Sequence, residues 1–143
     1  MRRLLGVVAG LVTEYILVYL LEMLGHLIFP PPDGIGLMNR EEIARIMDQI
    51  PLGGLISLVI AWFLGTLGAA FVATRVGKES TMTSAYIIGG FAIGFGLINF
   101  FAIPHPLWLI WTGLAAFVVG AYYGGKMALW RDPDRDLDKS FDE

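Results

Sequence analysis

Apolar residues gather in four long runs, at 4–29, 52–74, 85–103 and 107–125, rather than in amphipathic stripes or alternating strands. A bilayer core about 30 Å thick needs roughly 20 apolar residues of helix to cross it. Each run is close to that length, so the pattern predicts four membrane-spanning helices. A membrane barrel would show short segments of alternating polarity instead. The second and fourth runs carry no charge, the third has Asn99 as its only strongly polar residue, and the first is interrupted by Glu14, Glu22 and His26. Arg2 and Arg3 precede the first run, as in a secretory leader. The run is too long for one, holds two glutamates and has no small-x-small cleavage site after it, so it reads as a retained helix.

The punctuation between runs agrees with this division. Pro30, Pro31 and Pro32 end the first helix and Pro104 and Pro106 close off the third, because proline cannot continue the hydrogen-bond ladder. Pro51 and Pro106 open the next helices, where a missing N–H costs nothing. In the long connection after the first run, Asn39 and Glu42 have the spacing of a capping box. Ile43, Ile46, Met47 and Ile50 then recur at helical spacing opposite Arg45, Asp48 and Gln49. This predicts a short amphipathic helix over about 40–50, lying in the outer interface or over the bundle.

Lysine and arginine set the orientation. With the N-terminus inside, the cytoplasmic side receives Arg2, Arg3, Arg75, Lys78, Lys126, Arg131, Arg135 and Lys139, and the outer side only Arg40 and Arg45. The expected fold is therefore all-α: an integral membrane four-helix bundle, N-in/C-in, in a bacterial inner membrane. Residues 1–130 form its transmembrane domain, and 131–143 form an acidic, disordered cytoplasmic tail. Composition sharpens the picture. Hydrophobic residues make up 56% of the 143 and charged residues 16%, against about 25% charged in soluble domains. So small a globule has too little interior to hide this apolar surface. The tail accounts for the net charge of −3, and nothing suggests a nucleic-acid surface. The absence of cysteine excludes disulfides, thiolate metal sites and cysteine nucleophiles.

Two further patterns bear on assembly. Ala61, Gly65, Ala69 and Ala73 recur every four residues, as do Gly90 with Gly94 and Gly120 with Gly124, so small side chains line single helix faces where backbones can approach. These faces serve packing within the chain or a homo-oligomer or membrane-complex interface. Trp108, Trp111 and Trp130 fall near helix ends, as interfacial anchors do, whereas Trp62 is mid-span and reads as packing. Pro-Leu, Ala-Ala-Phe-Val and a lysine also recur in the second and fourth runs, at 51–52, 69–72 and 78 and at 106–107, 115–118 and 126, as in a duplicated hairpin.

The chemistry lies on the first helix. Ionised carboxylates at mid-membrane are costly and face protein or water, so Glu14 and Glu22 are candidate proton- or ion-linked groups. Glu22 and His26 are neighbours on one face, and at about 100° per residue Glu14, Glu22 and His26 span an arc of about 120°. Topology brings Asn99 and His105 to the outer depth of Glu22 and His26, with Glu41 and Glu42 of the loop helix within reach above. Carboxylate and imidazole together can ligate a divalent metal such as zinc, so His26, His105, Glu22 and Asn99 form a candidate metal set. The same groups can relay protons. The alternative is structural, with Glu22 paired to His26 and Glu14 bonded to another helix. Zinc-hydrolase H-E-x-x-H and the G-x-S-x-G elbow are absent, which leaves no catalytic motif. The expected function is thus a proton- or cation-linked, transporter-like protein, with a non-catalytic scaffold or accessory subunit as the alternative.

The run Glu22-Met23-Leu24-Gly25-His26, then Pro30-Pro31-Pro32-Asp33-Gly34, together with Ile103-Pro104-His105-Pro106-Leu107-Trp108, resembles small four-helix bacterial membrane proteins described only as uncharacterised. That resemblance spans most of the chain and implies no activity. The length and a membrane Glu14 are shared with small multidrug transporters. The surrounding residues depart from that family, the loop helix has no counterpart in it, and its function is not carried over.

Overall fold

The computed structural model describes residues 1–30, 41 and 49–129. It contains four α-helices, α1 (Arg2–Ile28), α2 (Leu52–Gly77), α3 (Thr83–Ala102) and α4 (Leu107–Ala128), each long and apolar enough to cross a membrane. They follow the expected spans to within three residues at every end. The helix expected at 40–50 lies outside the described residues apart from Glu41, Gln49 and Ile50. The acidic tail and Trp130 lie wholly outside them.

Local chemistry explains the boundaries. α1 closes with the Phe29 N–H on Gly25 O, and Pro30 follows. Pro51 and Pro106 are the N-caps of α2 and α4, with φ of −56° and −58° and ψ of 140° at both, so proline stands where a backbone donor would have no partner. α2 ends in a left-handed turn at Lys78 (φ 50°, ψ 47°), where the Glu79 N–H reaches back to Thr74 O at 3.2 Å. That 6→1 bond satisfies a carbonyl the helix would otherwise leave open.

The helices run up, down, up, down. Gly6 and Gly10 of α1 lie against Ala73 and Ala69 of α2, and Gly25 against Ser57, an antiparallel pair. Gly120 and Gly124 of α4 lie against Phe63 and Leu67 of α2, a parallel pair. Gly89 and Gly96 of α3 face Ala121 and Phe117 of α4, antiparallel again. α2 packs on all three other helices, and α1 and α3 touch only lightly. The small-residue face of α2 is internal packing: Ala61, Ala69 and Ala73 are fully buried and Gly65 is buried. A Cβ on Gly10 would stand 2.8 Å from Ala69 O, and one on Gly124 would run into the Leu67 carbonyl. Backbones at such separation gain dispersion contacts that larger side chains would forbid, a main source of helix cohesion in lipid.

Two small cores result. Val7, Ala69, Ala70, Ala73, Ala85, Ile88 and Ala121 pack at one end. Leu55, Trp62, Phe100, Leu109 and Phe117 pack at the other, with the Trp62 indole centred 5.6 Å from both the Phe100 and Phe117 rings. The outward surface is apolar, with Leu27, Phe101 and Trp111 among its exposed side chains. The Ala-Ala-Phe-Val match does not make a structural repeat. On α2 it buries Ala69 and Ala70 and exposes Phe71, whereas on α4 it buries Ala116 and Phe117 and exposes Ala115. It also stands 18 residues after Pro51 but nine after Pro106.

At the end holding Arg2, Arg3, Arg75, Lys78 and Lys126, the α2–α3 connection is clasped to α1. Glu79 is buried, and its Oε1 pairs with Arg3 Nε at 2.5 Å. Its Oε2 accepts the Ser84 N–H at 2.9 Å. This carboxylate thus does for the first turn of α3 what its N-cap, Met82, cannot, and lies where the helix dipole favours negative charge. Burial alone would raise the Glu79 pKa. The Ser84 N–H and the Arg3 guanidinium outweigh that and hold it below the ordinary carboxylate range.

Candidate functional site

α1 presents Leu11, Glu14, Tyr15, Val18, Tyr19 and Glu22 along one side. Spacings of three and four residues keep these on a single helical face. Because α1 and α3 barely touch, that face borders a cleft of about 540 Å³. Trp62 of α2 and Phe117 of α4 form its floor, and Ala92, Phe95, Gly96 and Asn99 of α3 form the far wall. The volume falls within the roughly 300–1,000 Å³ of small-molecule sites.

Both carboxylates of the cleft are anchored to α2. Glu14 Oε1 accepts the hydroxyl of the fully buried Thr66 at 2.9 Å. Glu22 Oε1 accepts the Trp62 indole N–H at 3.3 Å. Each side chain is half-buried, so one edge meets the protein while the cleft stays open to the rest. Among the described residues no basic side chain lines the cleft. The cleft is therefore a strip of carboxyl and aromatic surface in an otherwise apolar wall.

Three of the sequence-selected residues, Glu14, Glu22 and Asn99, come together here. The histidines do not join them. His26 is exposed, and Glu22 bonds to Trp62 on the next helix instead. His105 is half-buried beside the Phe100 ring, 5.3 Å between centroids, with its Nδ1 at 2.6 Å from Ile103 O. Burial lowers its pKa below the ordinary imidazole value, against the opposing pull of the Ile103 carbonyl. Among the described residues no three His, Asp or Glu side chains gather into a shell for a metal ion, so the set of His26, His105, Glu22 and Asn99 is not assembled.

Sequence reasoning missed the partners. Trp62 is indeed packing, as expected, but it also anchors Glu22. The available signal was chemical: a mid-span indole N–H in an apolar segment needs an acceptor, and Thr66 one turn further along offers a second donor on the same face. The Arg3–Glu79 pair joins residues 76 apart and left no local trace.

Comparison with protein-family models, with curated proteins and with solved structures finds no match for this chain. The class defined by fold and composition is that of an all-α protein with four helices among the described residues, each long and apolar enough for a membrane span.

Proposed function

We propose that the chain is a multi-pass protein of a bacterial inner membrane that exchanges protons or cations at Glu14 and Glu22, in the manner of a small transporter. Both termini are cytoplasmic in this reading, since the bundle end bearing Arg2, Arg3, Arg75, Lys78 and Lys126 follows the positive-inside rule. The exposed apolar flanks then face the lipid bilayer.

One observation carries the functional reading. Two carboxylates line one open cleft midway along the apolar helices, with no basic residue among the described ones there to neutralise them. A structural role alone would bury such groups against a base or in a complete hydrogen-bond shell. Facing them are Tyr15 and Tyr19 from α1, Thr66 and Trp62 from α2 and Asn99 from α3, none of them a basic residue. Protonation or an incoming cation must balance the charge, so the two compete for the same oxygens. The divalent metal expected from His26, His105, Glu22 and Asn99 has no part in this reading.

Proteoliposomes loaded with a pH-sensitive dye test the proposal. A transmembrane pH or cation gradient should drive flux in the wild type, and Glu14→Gln with Glu22→Gln should abolish it. Equal flux in the double variant would remove the carboxylates from the mechanism.

A second reading, a scaffold or accessory subunit or a homo-oligomer, draws on α3. A Cβ on Gly90 or Gly94 would meet nothing within 4 Å. These glycines line an open apolar groove with Ile87, Phe91, Phe95 and Ile98. Purification in mild detergent separates the readings, since a stoichiometric second protein would favour the scaffold.

A further inference from the structure

Resting on the proposed exchange at Glu14 and Glu22, we infer that the cleft binds a linear aliphatic diammonium cation. One ammonium lies at each carboxylate, and the methylene chain follows the wall between them.

The spacing excludes a single inorganic ion. Glu14 and Glu22 are eight residues apart, a rise of roughly 12 Å along α1. Their anchors, Thr66 and Trp62, are four residues apart, roughly 6 Å along α2. The carboxylates therefore stand between about 6 and 12 Å apart. A calcium ion needs its oxygens at about 2.3–2.6 Å and a zinc ion at about 2.0–2.2 Å, so neither can span both groups. A monovalent cation at one carboxylate would leave the other to keep its proton and use only half of the site.

The composition of the cleft selects the rest of the ligand. Among the described residues no basic side chain lines it, so these offer nothing to an anion, a carboxylate or a phosphate. Between the two acids the wall is Val18, and Ala92 and Gly96 stand across from it. Small apolar residues leave a channel that suits methylene groups and gives no partner to a polar linker. The Tyr15 and Tyr19 rings stack with centroids 6.4 Å apart and lie beside the acids, where aromatic faces attract ammonium groups. The rim is open: Tyr15, Tyr19 and Phe95 are 75%, 57% and 63% exposed. An amphiphilic diamine can thus reach the site from the side of the bundle. Terminal nitrogens in diamines of four to eight carbons cover the required span. Charge balances if both carboxyl groups release their protons as the dication enters, two protons for one ligand.

Calorimetry on the purified full-length chain in detergent tests this, with 1,4-diaminobutane, 1,6-diaminohexane, 1,8-diaminooctane and 1,12-diaminododecane against 1-aminohexane and 1-aminooctane. Affinity should peak within the four- to eight-carbon diamines and exceed that of the monoamine of equal length by at least about ten-fold, the gain expected from two tethered contacts. Glu14→Gln or Glu22→Gln should reduce the best diamine to monoamine affinity while the monoamine changes little. Flat length dependence, or a diamine advantage that survives either substitution, overturns the inference. The length series in the wild type decides the matter even if a variant misfolds. Repeating the titration in buffers of different ionisation enthalpy counts released protons. Diamine binding without proton release overturns the coupling but keeps the ligand class. Carboxylate-dependent flux without diamine binding does the reverse.

Discussion

Replacing Gly10 by alanine tests the close approach of α1 and α2 on which the cleft depends. The new Cβ would stand 2.8 Å from Ala69 O, 2.8 Å from Ala73 Cβ and 3.0 Å from Ile88 Cδ1. Backbone and a short side chain cannot swing aside, so the helices must part. Reaching ordinary contact at 3.4 Å requires 0.6 Å of movement at this level. Overpacking of this kind costs about 1–3 kcal/mol. Glu14 is one turn along α1 from Gly10 and Glu22 three turns, so the Glu14–Thr66 bond, at 2.9 Å, is strained before the Trp62–Glu22 bond, at 3.3 Å. Gly90→Ala is the matched control, because its Cβ meets nothing within 4 Å and gains up to about 1 kcal/mol of helix propensity. Thermal unfolding in detergent should show Gly10→Ala clearly below the wild type and Gly90→Ala at or above it. Equal midpoints for the two variants would refute the argument that α1 sits on α2 through bare backbone.

Two other predictions concern the Arg3–Glu79 end of the bundle and the topology. Glu79→Gln should destabilise the protein by about 1–2 kcal/mol at neutral pH, through loss of the ion pair and the charged contact to α3. Because the folded pKa of Glu79 is lowered, its contribution is complete above the ordinary carboxylate value of about 4.3 and disappears as pH falls through the folded value. An acid series of unfolding midpoints should therefore converge for wild type and variant below that range; a constant gap would mean Glu79 acts by packing alone. For topology, Gly36→Cys should react with a membrane-impermeant maleimide on intact spheroplasts and Ser140→Cys should not, with no native cysteine to interfere. Labelling at position 140 before lysis would reverse the proposed orientation.

Run length and proline position were enough to read the helices. Crossing a bilayer sets a minimum of apolar length, and proline at 51 and 106 gives sharp starts. The two acids were legible because charge is rare in such segments. What surrounds them was not. Whether Glu22 turns to His26 on its own helix or to Trp62 on the next depends on the rotation of α1 against α2. That rotation is set by where Gly6, Gly10 and Gly25 let the backbones meet, a tertiary property with no local signature. The same rotation leaves His26 outward, and with it goes the expected metal set. The four-letter match between α2 and α4 misled for the related reason that identical letters at different heptad phases face different neighbours.

The central place of α2 has a consequence for sequence drift. Its Ala69 and Ala73 meet the α1 glycines at backbone distance, Gly65 lies against Val18 and Ala61 is fully buried, so larger side chains are rejected there and α2 should change slowest among diverging copies of this chain. The outer flank of α1, with Leu5, Val12, Leu20 and Leu27 exposed and outside the cleft, can exchange one apolar residue for another freely. Selection on this protein is thus concentrated on a stripe of its smallest side chains, and the residues that dominate its hydropathy are the most replaceable ones it has.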